Sequence, residues 1–114
     1  ADLNRLILDT GPAPENFTGP IRRFAPDLVI LVDAADMGAD PGEIRWLDWK
    51  ETQGLSASTH TLPPYVLAGF LTQEVNCKVA LIGIQPSSTE MDTPMSPPVR
   101  RAIKEVTQLL LETL

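Results

Sequence analysis

The 114-residue sequence is short of several residue types, and each shortage argues against a class of protein. Nine Lys and Arg stand against fifteen Asp and Glu, a net charge of −6. This balance does not supply the basic face that phosphate neutralisation requires. No apolar run has the length that crosses a bilayer, and no charged start precedes an apolar signal-peptide core. We therefore expect neither nucleic acid nor membrane as a partner, which leaves a basic peptide or a metal cation.

Cysteine and histidine each occur once. A single Cys77 cannot form an intramolecular disulfide, which favours a reducing cytoplasm, and a structural thiol is favoured over a nucleophile. The glycine-rich phosphate loops and the G-x-S-x-G serine elbow are absent, which removes the usual nucleotide-binding and serine hydrolase signatures. The 43% hydrophobic content is enough for a core in one domain.

The apolar pattern predicts an α/β fold, a three-layer sandwich with a mostly parallel twisted sheet flanked by helices. Continuous apolar runs indicate buried strands, and alternation after the Asp-Pro-Gly turn indicates a strand at or near an edge with an antiparallel neighbour. Helical spacing and Pro-started segments indicate helices. The predicted strands are 5–9, 28–32, 43–47 and 78–84. The predicted helices are a short one spanning 17–24, one over 63–74, and one from 97 to the end with an apolar stripe of Val99, Ile103, Val106, Leu110 and Leu114.

Candidate site residues follow the predicted parallel strands, because ligands bind beyond the carboxyl ends of such strands. Asp9, the 33–36 segment and Gln85 reach that edge, and His60 precedes the helix that begins at 63. Imidazole and carboxylate together suit a divalent transition metal. The alternatives are a solvated His60 in a polar loop and aspartates that cap helices or close turns. Asp33 differs, because it directly follows five apolar residues, where an unpaired carboxylate is costly to bury.

Three ordered motifs resemble one family over nearly the whole chain. They are "LVDAADMGADPGEIRWLD" (31–48), "STHTLPPYVL" (58–67) and "GIQP" (83–86). The early "DTGPAPEN" (9–16) and late "PMSPPVRRAI" (94–103) fit as well. Together they are similar to the nickel–iron hydrogenase maturation endopeptidases, most closely the hydrogenase 3 type.

That resemblance implies an endopeptidase that removes a C-terminal extension from the nickel-loaded precursor of a hydrogenase large subunit. The family's cleft uses two acidic residues and a histidine, of which Asp33 and His60 are the matches here. Asp36 and Gln85 are candidates for orienting a ligand or lining the cleft. The implied metal is nickel, that of the substrate precursor, and other divalent transition metals are expected to substitute. The implied partner is the precursor, and the complete protein is expected to be a monomer.

The family's other acid lies in a Gly-Asn…Asp-Asp-Gly segment, which this sequence lacks. The resemblance therefore predicts one domain over 1–114 without the family's first strand and helix, roughly a quarter to a third of a usual domain. The missing strand is expected to be central, so its neighbours should expose apolar edges. The alternative function is a non-catalytic domain that binds metal or precursor without cutting, and the family assigns no agreed nucleophile.

Overall fold

The computed structural model describes residues 5–10, 13–52, 63–87 and 96–113. Within these ranges the strands at 28–32, 44–47 and 78–84 and all three predicted helices are confirmed. The first helix begins with a 3-10 turn, and Pro20 lies in the first turn of its α-helical part, where a missing N–H is tolerated. The elements are a 3-10 turn Pro14–Phe17, α1 Thr18–Phe24, β1 Leu28–Ala34, β2 Ile44–Leu47, a 3-10 turn Trp49–Glu51, α2 Pro64–Phe70 with a π-helical extension Leu71–Val75, β3 Lys78–Ile84 and α3 Pro97–Thr113.

The three strands form one sheet in the order β1-β3-β2. β1 and β3 are parallel, with Leu28 paired to Lys78 and Ala34 to Ile84. β2 is antiparallel to β3 and lies at an edge, as predicted, but its neighbour is β3 and not β1. The α/β class is confirmed, and within the described residues the sheet is small and mixed.

Helices cover both faces of this sheet. On one face α3 contributes Val99, Ala102 and Val106 to a core with Ile82 and Ile84. On the other face a second core contains Leu67 and Leu71 of α2 and its extension together with Cys77, and Ile21 of α1 packs against it. Side chains alternate along a strand, so neighbouring residues of β3 enter different cores. No helix in the described part of the chain is long and apolar enough to span a membrane.

The strand predicted over 5–9 is wrong. Residues 5–10 are in no strand, Leu6 and Ile7 are 43% and 75% exposed, and Arg5 Nη1 donates to Leu111 O at the end of α3 (3.2 Å). An apolar run becomes a strand only where its backbone pairs with a neighbouring strand, and residues 5–10 are not part of the described sheet. Asp9 is therefore not placed at the sheet's carboxyl edge by a strand.

Two predicted details of burial also differ. The stripe of α3 that faces the sheet uses Ala102, whereas Ile103 is 37% exposed. β1 is not buried on both faces, because Leu28 and Val32 are 46% and 45% exposed. α3 covers mainly β3 and of β1 reaches Ile30, which explains why the other side chains on that face stay open to water.

Candidate active site

Asp33 lies one residue before the end of β1, paired with Gly83 of β3. Its Oδ1 accepts a hydrogen bond from the Ala34 N–H (2.9 Å). Part of the residue is open to water, but the surrounding protein removes enough solvent to raise the pKa of this carboxyl group, and the Ala34 hydrogen bond opposes that rise. Asp33 is therefore an exposed carboxyl group at a strand end, with one oxygen hydrogen-bonded to the backbone.

A pocket opens beside this carboxylate, on the side of the sheet that α2 covers. The ends of several elements meet there: β1, β2, the second 3-10 turn and the first turn of α2. Thr52 is 4% exposed, and its hydroxyl donates to Trp49 O (2.7 Å). The pocket is lined by Asp33, Ala34, Ala35, Leu47, Thr52, Pro64 and Leu81.

Gly83 is the β3 residue paired with Asp33, and the side chains of pocket residues lie close to it. A Cβ on this residue would lie 2.7 Å from Leu47 Cδ1, 3.2 Å from Ala35 Cβ and 3.2 Å from Met37 Sδ. Glycine is thus the residue that lets these side chains close over the strand beside the carboxylate. A glycine inside the apolar run of β3 is the sequence feature that could have indicated this close packing. No feature of the sequence indicated that Leu47 and Thr52 line the pocket.

Gln85 directly follows β3, is 6% exposed, and is not among the residues that line the pocket. Its Oε1 accepts from Met37 N (2.6 Å) and Ala39 N (3.3 Å), and its Nε2 donates to Asp36 Oδ1 and to Pro86 O, each 3.3 Å. Gln85 therefore holds the turn that leaves β1.

Asp36 has the contacts of a turn residue. Its Oδ1 accepts from Gly38 N (3.3 Å) two residues along the chain, in addition to the Gln85 amide. It does not line the pocket. The structure brings Asp36 and Gln85 together, with Asp33 at the far end of the same short segment.

His60 lies outside the described residues. Thr52 and Pro63 are the described residues on either side of it, and Pro64 lines the pocket. No group of three or more His, Cys, Asp or Glu side chains suited to a metal occurs within the described ranges. The pairing of Asp33 with His60 stays a prediction.

Comparison with known proteins identifies the family. The sequence profile of the hydrogenase maturation protease family (HycI) matches residues 2–113. The hydrogenase 3 maturation protease of Escherichia coli K12 is 36% identical over 108 residues, which are 94% of this chain and 69% of that protein.

Solved structures agree with this similarity. The crystal structure of a [NiFe] hydrogenase maturation protease HycI from Thermococcus kodakarensis KOD1 superposes with a TM-score of 0.80 at 36% identity, covering 94% of this chain and 69% of that one. The solution structure of the endopeptidase HycI from Escherichia coli gives 0.77 at 36% identity, covering 89% and 65%. The chain belongs to the hydrogenase maturation protease family. By that membership it is a peptidase of hydrogenase maturation.

Proposed function

We propose that this peptidase removes a C-terminal extension from the nickel-loaded precursor of a hydrogenase large subunit. The observation that carries the proposal is the Asp33 carboxyl group, which is exposed near the end of β1 and lines a pocket where the ends of several elements meet. A carboxylate that the protein solvates poorly gains from a cation brought by a substrate. Nickel in this scheme is part of the substrate.

His60 is the second proposed ligand. It stands four residues before Pro64, which lines the pocket with Asp33. Imidazole nitrogen and carboxylate oxygen are a donor set that suits a divalent first-row metal, which also supports substitution of nickel by related ions. In the proposal the two residues hold the precursor's nickel and so fix the scissile peptide beside the pocket.

Metal bound in this way polarises a carbonyl or lowers the pKa of a water. Asp33 and His60 act by orientation, beside a pocket wall that includes the apolar residues Leu47, Ala35 and Leu81. No residue is assigned as a nucleophile. Nothing among the described residues favours the alternative, a domain that binds metal or precursor without cutting.

Cytoplasmic action is part of the proposal. Cys77 is a free thiol, 5% exposed, in the core beneath α2, which suits a reducing compartment. Burial raises the pKa of this thiol, so it is a poor nucleophile. The remaining partner expectations, no nucleic acid, no membrane and a monomeric complete protein, stay predictions.

Cleavage of a nickel-loaded precursor by the full-length protein tests the site. Asp33→Ala and His60→Ala should each lower the rate by two orders of magnitude or more, about 3 kcal/mol in the barrier. Asp27→Ala is the matched control, because Asp27 is exposed just before the other end of β1 and should leave cleavage unchanged. Unchanged cleavage in both site variants would show that the assignment is wrong. Binding of nickel without any cleavage by the wild type would favour the alternative.

A further inference from the structure

Gln85 makes an unusual number of connections for one residue. Its backbone N–H donates to Glu43 O (2.9 Å) and its carbonyl accepts from Gly42 N (2.8 Å), which ties the end of β3 to the segment leading into β2. Its side chain ties the same point to the turn after β1 through Met37, Ala39 and Asp36. Three chain segments are thus joined through the backbone and the side chain of one buried residue.

These segments border the proposed site. Residues 33–35 line the pocket, and the turn held by Gln85 begins at the next residue. Ala35 N donates to Ile84 O (3.1 Å), so the pocket wall and the residue before Gln85 are bonded to each other. The Met37 N–H donates to Gln85 Oε1. The Met37 sulfur lies over Gly83, the residue paired with Asp33.

We propose that Gln85 is a positioning residue for cleavage, which fixes the 36–39 turn and through it the direction in which Asp33 and the 33–35 wall face the substrate. The inference rests on the proposed function, because it gives Asp33 the role of contacting the precursor. Gln85 itself touches no reacting atom. A buried amide suits this task, because it both accepts from two backbone N–H groups and donates to a carboxylate, which neither a carboxylate nor an ammonium group does.

Gln85→Glu is the variant that separates an effect on the position of Asp33 from an effect on the stability of the fold. The introduced carboxylate can still accept from Met37 N and Ala39 N, but it has no donor for Asp36 or for Pro86 O and places a second negative charge against Asp36. Adding Asp36→Asn removes one negative charge and supplies a donor, because the new amide can turn its N–H toward the carboxylate introduced at position 85. The Gly38 N contact is then lost, since Gly38 N and Gln85 Nε2 reach the same Asp36 Oδ1. The pair therefore offers a reciprocal rescue.

The experiment measures kcat for a nickel-loaded precursor well below the thermal midpoint of every variant, with that midpoint recorded. Gln85→Glu should lower kcat roughly tenfold or more, the range typical of residues that orient a metal ligand. The kcat of the double variant Asp36→Asn with Gln85→Glu should return to within about threefold of the kcat of Asp36→Asn alone. This comparison is a double-mutant cycle. A purely structural role would move the midpoint without this rescue of kcat.

Gln108→Glu is the matched control, because Gln108 Nε2 donates to Glu112 Oε1 (3.1 Å) in the same amide-to-carboxylate arrangement on exposed α3. It should leave kcat unchanged. Folded Gln85→Glu that cleaves at the wild-type rate would overturn the inference, and so would a loss that Asp36→Asn does not rescue. Asp33→Ala and the wild type, run in parallel, distinguish the two levels. No cleavage by the wild type defeats the proposed function, and normal cleavage by Asp33→Ala defeats the role of Asp33 on which the inference rests. Loss of cleavage in Asp33→Ala beside a normal Gln85→Glu defeats the positioning role alone.

Discussion

β1 and β3 are two seven-residue apolar strands paired along their whole length, yet they differ sharply in burial. In β3 the last four residues are buried, because the strand has a neighbour on each side and helices on both faces. In β1 the last three residues are exposed, and within the described residues its one neighbour is β3. Position in the sheet, and not composition, sets burial. The exposed end of β1 also leaves Asp33, the proposed metal ligand, accessible to solvent.

The largest effect should come from paired residues on the two strands. Ile82 is 3% exposed and its partner Val32 is 45% exposed. Ile82→Ala should lower the free energy of unfolding by about 2–5 kcal/mol, because it leaves a cavity between β3 and α3. Val32→Ala should cost less than about 1 kcal/mol, because its side chain is half in water. Urea unfolding measures the free energy of unfolding of both variants. Equal losses would contradict the proposed difference in burial between β1 and β3.

Gly83 and Gly69 provide the next comparison. Gly83→Ala should destabilise the protein by about 1–3 kcal/mol and reduce cleavage, because the new methyl collides with Leu47 and Ala35, two residues that line the pocket. Gly69→Ala should instead stabilise it by about 0.5–1 kcal/mol, because Gly69 is inside α2 and an added Cβ would meet Trp49 at an ordinary 3.7 Å. Thermal unfolding measures the expected loss of stability in Gly83→Ala and the expected gain in Gly69→Ala, and a cleavage assay measures the activity of both variants. A Gly83→Ala protein of normal stability would mean that the side chains around Gly83 are not tightly packed.

The accessible end of β1 should also show in the pH dependence of stability. The pKa of Asp33 is raised in the folded state above its ordinary value near 3.8, so its contribution is fully present below that value and is lost as pH rises through the folded pKa. At neutral pH the ionised carboxylate therefore opposes folding. Asp33→Asn should raise the free energy of unfolding at pH 7 in the presence of a chelator, and the gain should vanish near pH 3. A gain that grows on acidification would contradict this.

The smallest effect should come from the other edge strand. Arg45 Nη2 and Glu43 Oε2 form an ion pair (2.5 Å) beside β2, with both side chains close to half exposed. Glu43→Gln should change the free energy of unfolding by less than about 1 kcal/mol, because water and salt screen such pairs. Denaturant unfolding at low and high salt is the measurement. A loss above about 2 kcal/mol would mean that the edge contributes more than its exposure indicates.

Sequence periodicity predicted most of the fold because three strands and three helices carry strong local signals. The run at 5–9 carried the same signal but forms no strand, because strand pairing depends on where the chain places a segment relative to the sheet and not on its residues alone. The edge position of β2 was readable from its alternation, but its pairing with β3 was not, because β3 follows it by more than thirty residues. The choice of Ala102 over Ile103 depended on how α3 lies on the sheet.

For the site, Asp33 stood out because a carboxylate follows five apolar residues. Gln85 was named as a candidate, yet its contacts with Met37 and Ala39 depend on two loops meeting, which no spacing encodes. Thr52 was not named, because its burial arises only when the second 3-10 turn packs beside α2. The role of His60 was implied by family resemblance and is tested by the cleavage assay above.

The parallel register of β1 and β3 has a consequence for the order of folding. Every pair in it joins residues fifty positions apart, as for Leu28 and Lys78. Closing so long a segment is slow compared with forming helices or turns. Asp33 meets Gly83, and Gln85 meets its turn, only after that closure. The pocket beside Asp33 should therefore be among the last features to form, and a partly folded chain should have local structure but no assembled candidate site.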